Sequence, residues 1–248
     1  MRTSPLRIPR SALFTAVLAA VVTVAALVVV FGLRPKPADV AAAPGVSGIP
    51  EPAAPTTTTC GPGPCRQLAA VTVGGTPVVL LADASGGWGR VQVGPQPGTE
   101  FELAITTMGA KLNAQSLRCI AGKTSACLVR GTVGGAVDGA GGAYGELLIG
   151  SDGVWRDFGK PYFADAGTLS LFDTTADGRP DVLVVRHECP DATPGTPECQ
   201  AAPVLAEAYQ LSGAVIGCTK KVTAPSDLRG WPEVEVRASE LRPCPDGG

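Results

Sequence analysis

The stretch LSLFDTTADGRPDVLVV, residues 169–185, sets two short apolar runs on either side of a polar segment in which Asp173, Asp177 and Asp181 stand four residues apart. Short runs rich in Val, Leu and Ile, bounded by Gly, Pro, Asp or Ser, are the signature of β-strands. The same pattern recurs outward from this point in AAVTV (69–73), PVVLLA (77–82), RVQV (90–93), FELAI (101–105), ACLVRGTV (126–133), GELLIG (145–150), AVIGC (214–218) and EVEVRA (233–238). Strands at such regular spacing predict an all-β sandwich or a propeller-like build. APVLAEAYQL (202–211) suits a helix or a strand equally.

The cysteines set the second constraint. Cys60, Cys65, Cys119, Cys127, Cys189, Cys199, Cys218 and Cys244 all lie in the C-terminal three quarters of the chain. An even count beyond an apolar N-terminal segment predicts a disulfide framework on the oxidising side of a membrane. The spacing favours neighbours: 60 with 65, 119 with 127, 189 with 199, 218 with 244. CGPGPC (60–65) separates its thiols by four residues and is followed by no helical pattern, so a structural staple is expected there rather than a redox pair. With no C-x-x-C pair and a single histidine, His187, the sequence offers zinc little.

Residues 12–33 form an apolar run long enough to span a bilayer as a helix. Arg2, Arg7 and Arg10 precede it, against Arg34 and Lys36 behind it, which places residues 1–11 in the cytoplasm and the rest outside. A cleaved signal peptide would have a shorter apolar core and a nearby small-residue cleavage site. The expectation is therefore an uncleaved signal anchor, followed by a Pro/Ala/Thr-rich linker over 34–59 and an extracytoplasmic domain over 60–248. Residues 1–36 carry five basic and no acidic residues, which leaves 15 Lys and Arg against 22 Asp and Glu and a formal charge of −7. Nucleic acid and anionic lipid headgroups are poor partners for such a surface.

LLADASGGW (80–88) resembles LLIGSDGVW (147–155), GTEFELAITTMG (98–109) resembles GTLSLFDTTADG (167–178), and the cysteine pairs follow in the same order. The offsets of 67, 69, 70 and 72 residues predict a duplicated β unit of about 70 residues, with copies near 77–140 and 145–212. Chance similarity in a chain rich in Gly and Val is the alternative.

In DTTADGRPD, the side chains of Asp173, Thr175, Asp177 and Asp181 and the carbonyl of Arg179 occupy places at which EF-hand-type loops offer oxygen to Ca²⁺, with Gly178 at the sharp turn. Position 12 is Val184 rather than glutamate, so affinity on the order of 10⁻⁴ to 10⁻³ M is expected. Asp and Gly also build turns for backbone reasons alone, and both readings account for the spacing.

Strand, D-x-T-x-D-G-x-x-D loop and strand together resemble the FG-GAP or VCBS repeat of integrin-like β-propellers and bacterial surface proteins. About 30 residues carry the resemblance, most of them in 169–185. It implies calcium-stabilised β blades that serve adhesion or the binding of protein and carbohydrate, with Asp173, Asp177 and Asp181 as the calcium ligands. Thr175 departs from the usual Asp or Asn, ITTMGAKLN (105–113) has no aspartate at the matching places, and two units are fewer than a closed propeller needs.

Enzymatic signals are few. There is no G-x-S-x-G; GGAVDGAGGAYGE (134–146) lacks the ending of a phosphate loop and suits a hairpin connection. His187 is expected at an exposed strand end, and Glu233 and Glu235 on one strand face. A membrane-tethered cell-wall hydrolase would need Glu146, Asp152, Asp157 and Asp165 to converge in one pocket. A regulatory domain that contacts an envelope partner would need an exposed apolar patch. Trp88 and Trp155, at matching places in the two copies, are expected in the core, with ligand stacking as the lesser reading for Trp155 and Trp231. The sequence therefore predicts a membrane-anchored binding, adhesion or structural module of the bacterial cell envelope.

Overall fold

The computed structural model describes residues 59–134, 141–189 and 196–245. The expected anchor (12–33) and all but the last residue of the expected linker (34–59) lie outside the described residues. Among those described, no helix is long and apolar enough to cross a membrane.

The protein is all-β. A two-residue-per-strand hairpin, β1 (Thr59–Cys60) and β2 (Gly63–Pro64), is followed by three antiparallel sheets, each built from strands consecutive in the chain. The first contains β3 (Arg66–Val73), β4 (Thr76–Ala82), β5 (Gly89–Val93) and β6 (Thr99–Glu102). The second contains β7 (Leu117–Ile120), β8 (Ser125–Thr132), β9 (Ala143–Ser151) and β10 (Val154–Asp157), with β11 (Tyr162–Ala164) pairing the other half of β9. The third contains β12 (Thr168–Phe172), β13 (Asp181–His187), β14 (Val204–Tyr209) and β15 (Val215–Cys218). Short helices α1 (Ala104–Thr107) and α2 (Pro197–Gln200) lie in the connections.

The side-chain alternation of the strands dictates how these sheets stack. In the first sheet Val78, Leu80, Val91 and Val93 face Cys127, Val129 and Leu148 of the second, with Leu103, Ile105 and Leu112 from the β6–β7 connection filling the gap. The next residues along β8 and β9 point the other way, as period two requires. Leu128, Leu147 and Ile149 meet Leu169, Leu171, Val182 and Val184 of the third sheet. Buried on both faces, the middle strands β8, β9 and β13 read as unbroken apolar runs rather than alternating ones. Burying a Leu such as Leu128 or Leu147, both fully buried, stabilises by roughly 2 kcal/mol.

The outward face of the third sheet is covered by the C-terminal segment. Leu228, Val234 and Val236 pack on Leu183, Val185, Val204 and Ala206. The segment forms no strand of its own, which corrects the expectation for EVEVRA: its buried Val234 and Val236 alternate with exposed Glu235 because the chain is extended against a sheet face, outside any ladder. It is fastened by the Cys218–Cys244 disulfide, by a bridge between Cys218 and Arg242, and by the Ser170 hydroxyl donating to the carbonyl of Val234 at 2.9 Å.

All four disulfides pair neighbours: Cys60–Cys65, Cys119–Cys127, Cys189–Cys199 and Cys218–Cys244. The ambiguous 202–211 stretch resolves as the strand β14 at Val204–Tyr209, buried as far as Ala208. FELAI is strand only to Glu102; Ile105 lies in α1, where it fills the gap between the first two sheets.

The duplicated unit does not match this division. LLADASGGW covers the end of the second strand of the first sheet and the turn that follows it, whereas LLIGSDGVW spans the third and fourth strands of the second. GTEFELAITTMG ends one sheet and GTLSLFDTTADG begins another. Any strand–turn–strand with Gly in the turn produces such a match, and the described strands fall into three meanders rather than two copies.

Candidate functional site

Residues 173–180 join β12 to β13 after the Phe172–Asp181 pair closes the ladder. The loop folds around its own carboxylates. Asp173 accepts the N–H of Asp177 at 3.2 Å and of Gly178 at 2.9 Å, Asp177 accepts the N–H of Arg179 at 2.8 Å, and Asp181 accepts the N–H of Thr174 at 3.0 Å. Gly178 takes the left-handed conformation at φ 80°, as the glycine expectation required, and Ala176 does so at φ 55° despite its Cβ. Such a residue persists where surroundings hold it. The second sheet supplies part of that hold, since Lys123 N–H donates to the carbonyl of Gly178 at 3.2 Å. Gly122 passes so close that a Cβ there would lie 2.5 Å from the same carbonyl. From the other side, Ala238 N–H donates to the carbonyl of Thr174 at 3.0 Å.

Asp181 is buried, whereas Thr175, Asp177 and Arg179 are exposed. Burial raises the Asp181 carboxyl above its ordinary range; the Thr174 N–H opposes this, and the charges of Asp177 and Asp173 add to it. Among the described residues, however, the ligand-type side chains whose atoms gather within 4.8 Å are Asp165 with Cys189 and Cys199, and Glu207 with Cys218 and Cys244. Cysteine sulfurs tied up in disulfides are not metal ligands in that state.

The loop also forms one wall of a cleft of about 400 Å³. Arg156 from β10, Arg179 and Asp177 from the loop, and Gln210 and Ser212 beyond β14 line it. None of this was visible in the sequence, because these residues come from two sheets and approach one another only when the sheets stack. The available signal was the exposed polarity of β10 and of the turn after β14.

The four carboxylates of the hydrolase alternative are not brought together. Glu146 lies buried between the first and second sheets, accepting the N–H of Ile105 at 3.1 Å, and Asp157 is its acidic neighbour. Burial first, then the charge of Asp157, push its carboxyl up to about 7 against the N–H bonds of Ile105 and Ala104. Asp165 instead accepts the N–H of His187 at 2.8 Å in the third sheet, and Asp152 sits in the β9–β10 turn at φ 51°. His187 is not an exposed strand end: its side chain is 11% exposed, with Nδ1 3.5 Å from Asp165. Glu233 and Glu235 share no strand face; Glu233 reaches back to Arg118 and Arg130 of the second sheet.

The tryptophans divide. Trp155 packs half-buried over Gly150, directly across the β9–β10 ladder, in the core between the first two sheets. Trp88 and Trp231 are each 50% exposed, so the core expectation fails for Trp88. Comparison with protein-family models, with curated proteins and with solved structures finds no match for this chain.

Proposed function

We propose that this chain is a binding or adhesion module of the bacterial cell envelope, anchored by residues 12–33 and presenting its β domain outside the membrane. The observation that carries the reading is the cleft beside the 173–181 loop, where an organised carboxylate loop and two guanidinium groups from different sheets share one concave surface. Concave sites with a few convergent polar groups are the usual places for ligands. Four disulfides within the described residues support the extracytoplasmic placement, since such bonds persist in oxidising compartments.

The three stacked antiparallel sheets, two of four strands and one of five, favour a propeller-like reading over a two-sheet sandwich, with each sheet in the place of a blade. Calcium fits the loop chemically. Oxygen donors in a tight turn suit a hard cation, and a carboxylate has about four lone-pair sites, so the N–H bonds already made leave acceptor capacity at Asp173, Asp177 and Asp181. The Asp173 bonds to the N–H groups of Asp177 and Gly178 wrap the loop, and a bound cation would draw together carboxylates that do not gather within 4.8 Å on their own. With the cation bound, these ligands and the Arg179 carbonyl would hold the wall of the cleft in place.

The test is thermal unfolding of the full-length protein in mild detergent, with millimolar Ca²⁺ and with chelator, beside an Asp177→Ala variant. A calcium-dependent rise in midpoint that the variant lacks supports the reading. Equal midpoints in all conditions make the loop a turn only.

A further inference from the structure

A second concave site lies on the first sheet, about 510 Å³ in volume, with Trp88 as one wall. Everything around Trp88 serves to hold it. Asp83 accepts the N–H of Trp88 at 3.0 Å, the N–H of Ser85 at 3.1 Å and the Ser85 hydroxyl at 2.6 Å, while its own N–H donates to the carbonyl of Trp88 at 3.0 Å. The β4–β5 connection is thus a compact carboxylate-centred turn that fixes the tryptophan backbone. The ring in turn rests against Gly61, which lies in the hairpin closed by Cys60–Cys65 at φ 59°. A Cβ on Gly61 would come within 2.5 Å of the indole, so only glycine permits this approach. Backed on one side by a disulfide-closed turn, the ring is nevertheless 50% exposed, and its N–H has no partner among the described residues.

The polar part of the cleft is equally fixed. Arg90 is held between Glu100 at 2.7 Å and Glu102 at 3.6 Å; its side chain is 19% exposed, whereas that of Glu102 is 87% exposed. Thr106 and Thr107 of α1 direct their hydroxyl protons to the carbonyls of Leu103 and Ala104, which leaves their oxygens free to accept. The group carries one positive and two negative charges, so an oxyanion is repelled and Arg90 is not available as an anion fork. An apolar peptide would gain from the indole but leave the Arg–Glu pair desolvated without new partners. A neutral molecule with an apolar face and a rim of hydroxyls uses both halves.

We infer that the Trp88 cleft is a carbohydrate subsite that takes a neutral pyranose, its C–H face on the open side of the indole and its hydroxyls toward Glu102, Arg90 and the Trp88 N–H. It rests on the reading of the chain as a binding module and names the ligand class. It is independent of calcium at the 173–181 loop.

The experiment is titration of the full-length protein with cellotetraose, maltotetraose, mannotetraose and chitotetraose, with tetragalacturonate as an anionic probe, followed by tryptophan fluorescence and calorimetry. Saturable millimolar binding of at least one neutral tetrasaccharide is expected, abolished in Trp88→Ala, weakened about tenfold or more in the exposed Glu102→Gln, and unchanged in Trp231→Ala. Circular dichroism and the thermal midpoint verify that each variant folds, and Glu102→Gln serves if Trp88→Ala does not. Absence of binding by all four neutral probes at 20-fold the usual millimolar range, preferential binding of tetragalacturonate, or binding undiminished by both substitutions overturns the inference. Sugar binding without any calcium effect would remove the loop's metal role and leave this subsite standing; a calcium shift without sugar binding would do the reverse.

Discussion

Arg130 and Glu233 meet through two hydrogen bonds, 2.8 and 3.2 Å long, across 103 residues of sequence. Arg130 belongs to the middle of the second sheet and Glu233 to the segment that covers the third, so the pair ties the end of the chain to a sheet it does not itself cover. Arg130 also donates to the carbonyl of Leu169 at 2.6 Å, and Arg118 adds a second ion pair to Glu233 at 3.0 Å. Two-pronged guanidinium–carboxylate contacts of this kind are stronger than single surface pairs.

Replacing Arg130 should therefore loosen the C-terminal cover. With Glu233 44% exposed, solvent screening limits the loss, and Arg130→Met is expected to cost about 1–2 kcal/mol. Urea unfolding would show a lower midpoint. Burial alone would raise the Glu233 carboxyl, but the hydrogen bond and charge of Arg130, then Arg118, outweigh it and lower its pKa. A depressed carboxylate pKa contributes stability above the unfolded value, lost as pH falls through the folded one. The wild type should lose that contribution on acidification below about pH 4.5, and Arg130→Met should show a shallower slope there.

Glu146 should give the opposite pH dependence. Its carboxyl is raised from the ordinary 4.5 to about 7. A raised carboxyl pKa means that the folded state holds the proton longer, so stability is full below pH 4.5 and declines as pH climbs toward 7 and above. The total change is on the order of 3 kcal/mol. Glu146→Gln, isosteric and always neutral, should keep the bond from Ile105 N–H and flatten the profile between pH 5 and 8. Denaturant midpoints measured across that range, with an unchanged slope in the variant, would sink this assignment.

Opening the Cys218–Cys244 disulfide should free the segment that covers the third sheet. The closed loop has a sequence separation of 26 residues. Chain-entropy arguments put its contribution at about 3 kcal/mol. The double variant Cys218→Ser/Cys244→Ser is expected to expose Leu183, Val185 and Val204, with increased binding of a hydrophobic dye before global unfolding. A variant that matches the wild type in dye binding and midpoint would show the non-covalent contacts of Val234 and Val236 to be sufficient.

Asp83 should matter to Trp88 more than to the fold. It lies in an exposed turn, and its main effect is to fix the backbone that presents the indole. Asp83→Ala is expected to shift the midpoint by no more than about 1 kcal/mol, since caps and turn carboxylates contribute on that scale. The emission of Trp88, isolated in a Trp155→Phe/Trp231→Phe background, should nevertheless move toward that of a freely rotating indole. An unchanged spectrum would mean that contact with Gly61 alone positions the ring.

The limits of sequence legibility show in particular residues. Val78, Leu80 and Ala82 alternate with half-buried Val79 and Leu81 in β4, and that period of two was enough to identify the strand. Leu117 to Ile120, Val154 to Asp157 and Tyr162 to Ala164 were missed as strands because each is three or four residues long, too short for a period of two to show, and cross-strand pairing keeps them in place. EVEVRA had the period of a strand yet joined no ladder: an extended chain lying on a sheet face has the same alternation of burial as a strand within one. In the loop, the spacing of Asp173, Asp177 and Gly178 was legible because their bonds are local, four and five residues apart.

Features that depend on near neighbours were readable before folding: the strand content, the tight 173–181 turn, and disulfides that close 5, 8, 10 and 26 residues. Short loops cost little entropy to close, so their partners are readable from spacing. Only the tertiary structure decided that the strands divide into three sheets, that Glu233 answers Arg130, that Arg156 and Arg179 share a cleft, and that Trp88 is displayed against Gly61 rather than buried. Those relationships join residues from separate elements, and they arise because each sheet must bury an apolar face that its own strands cannot cover.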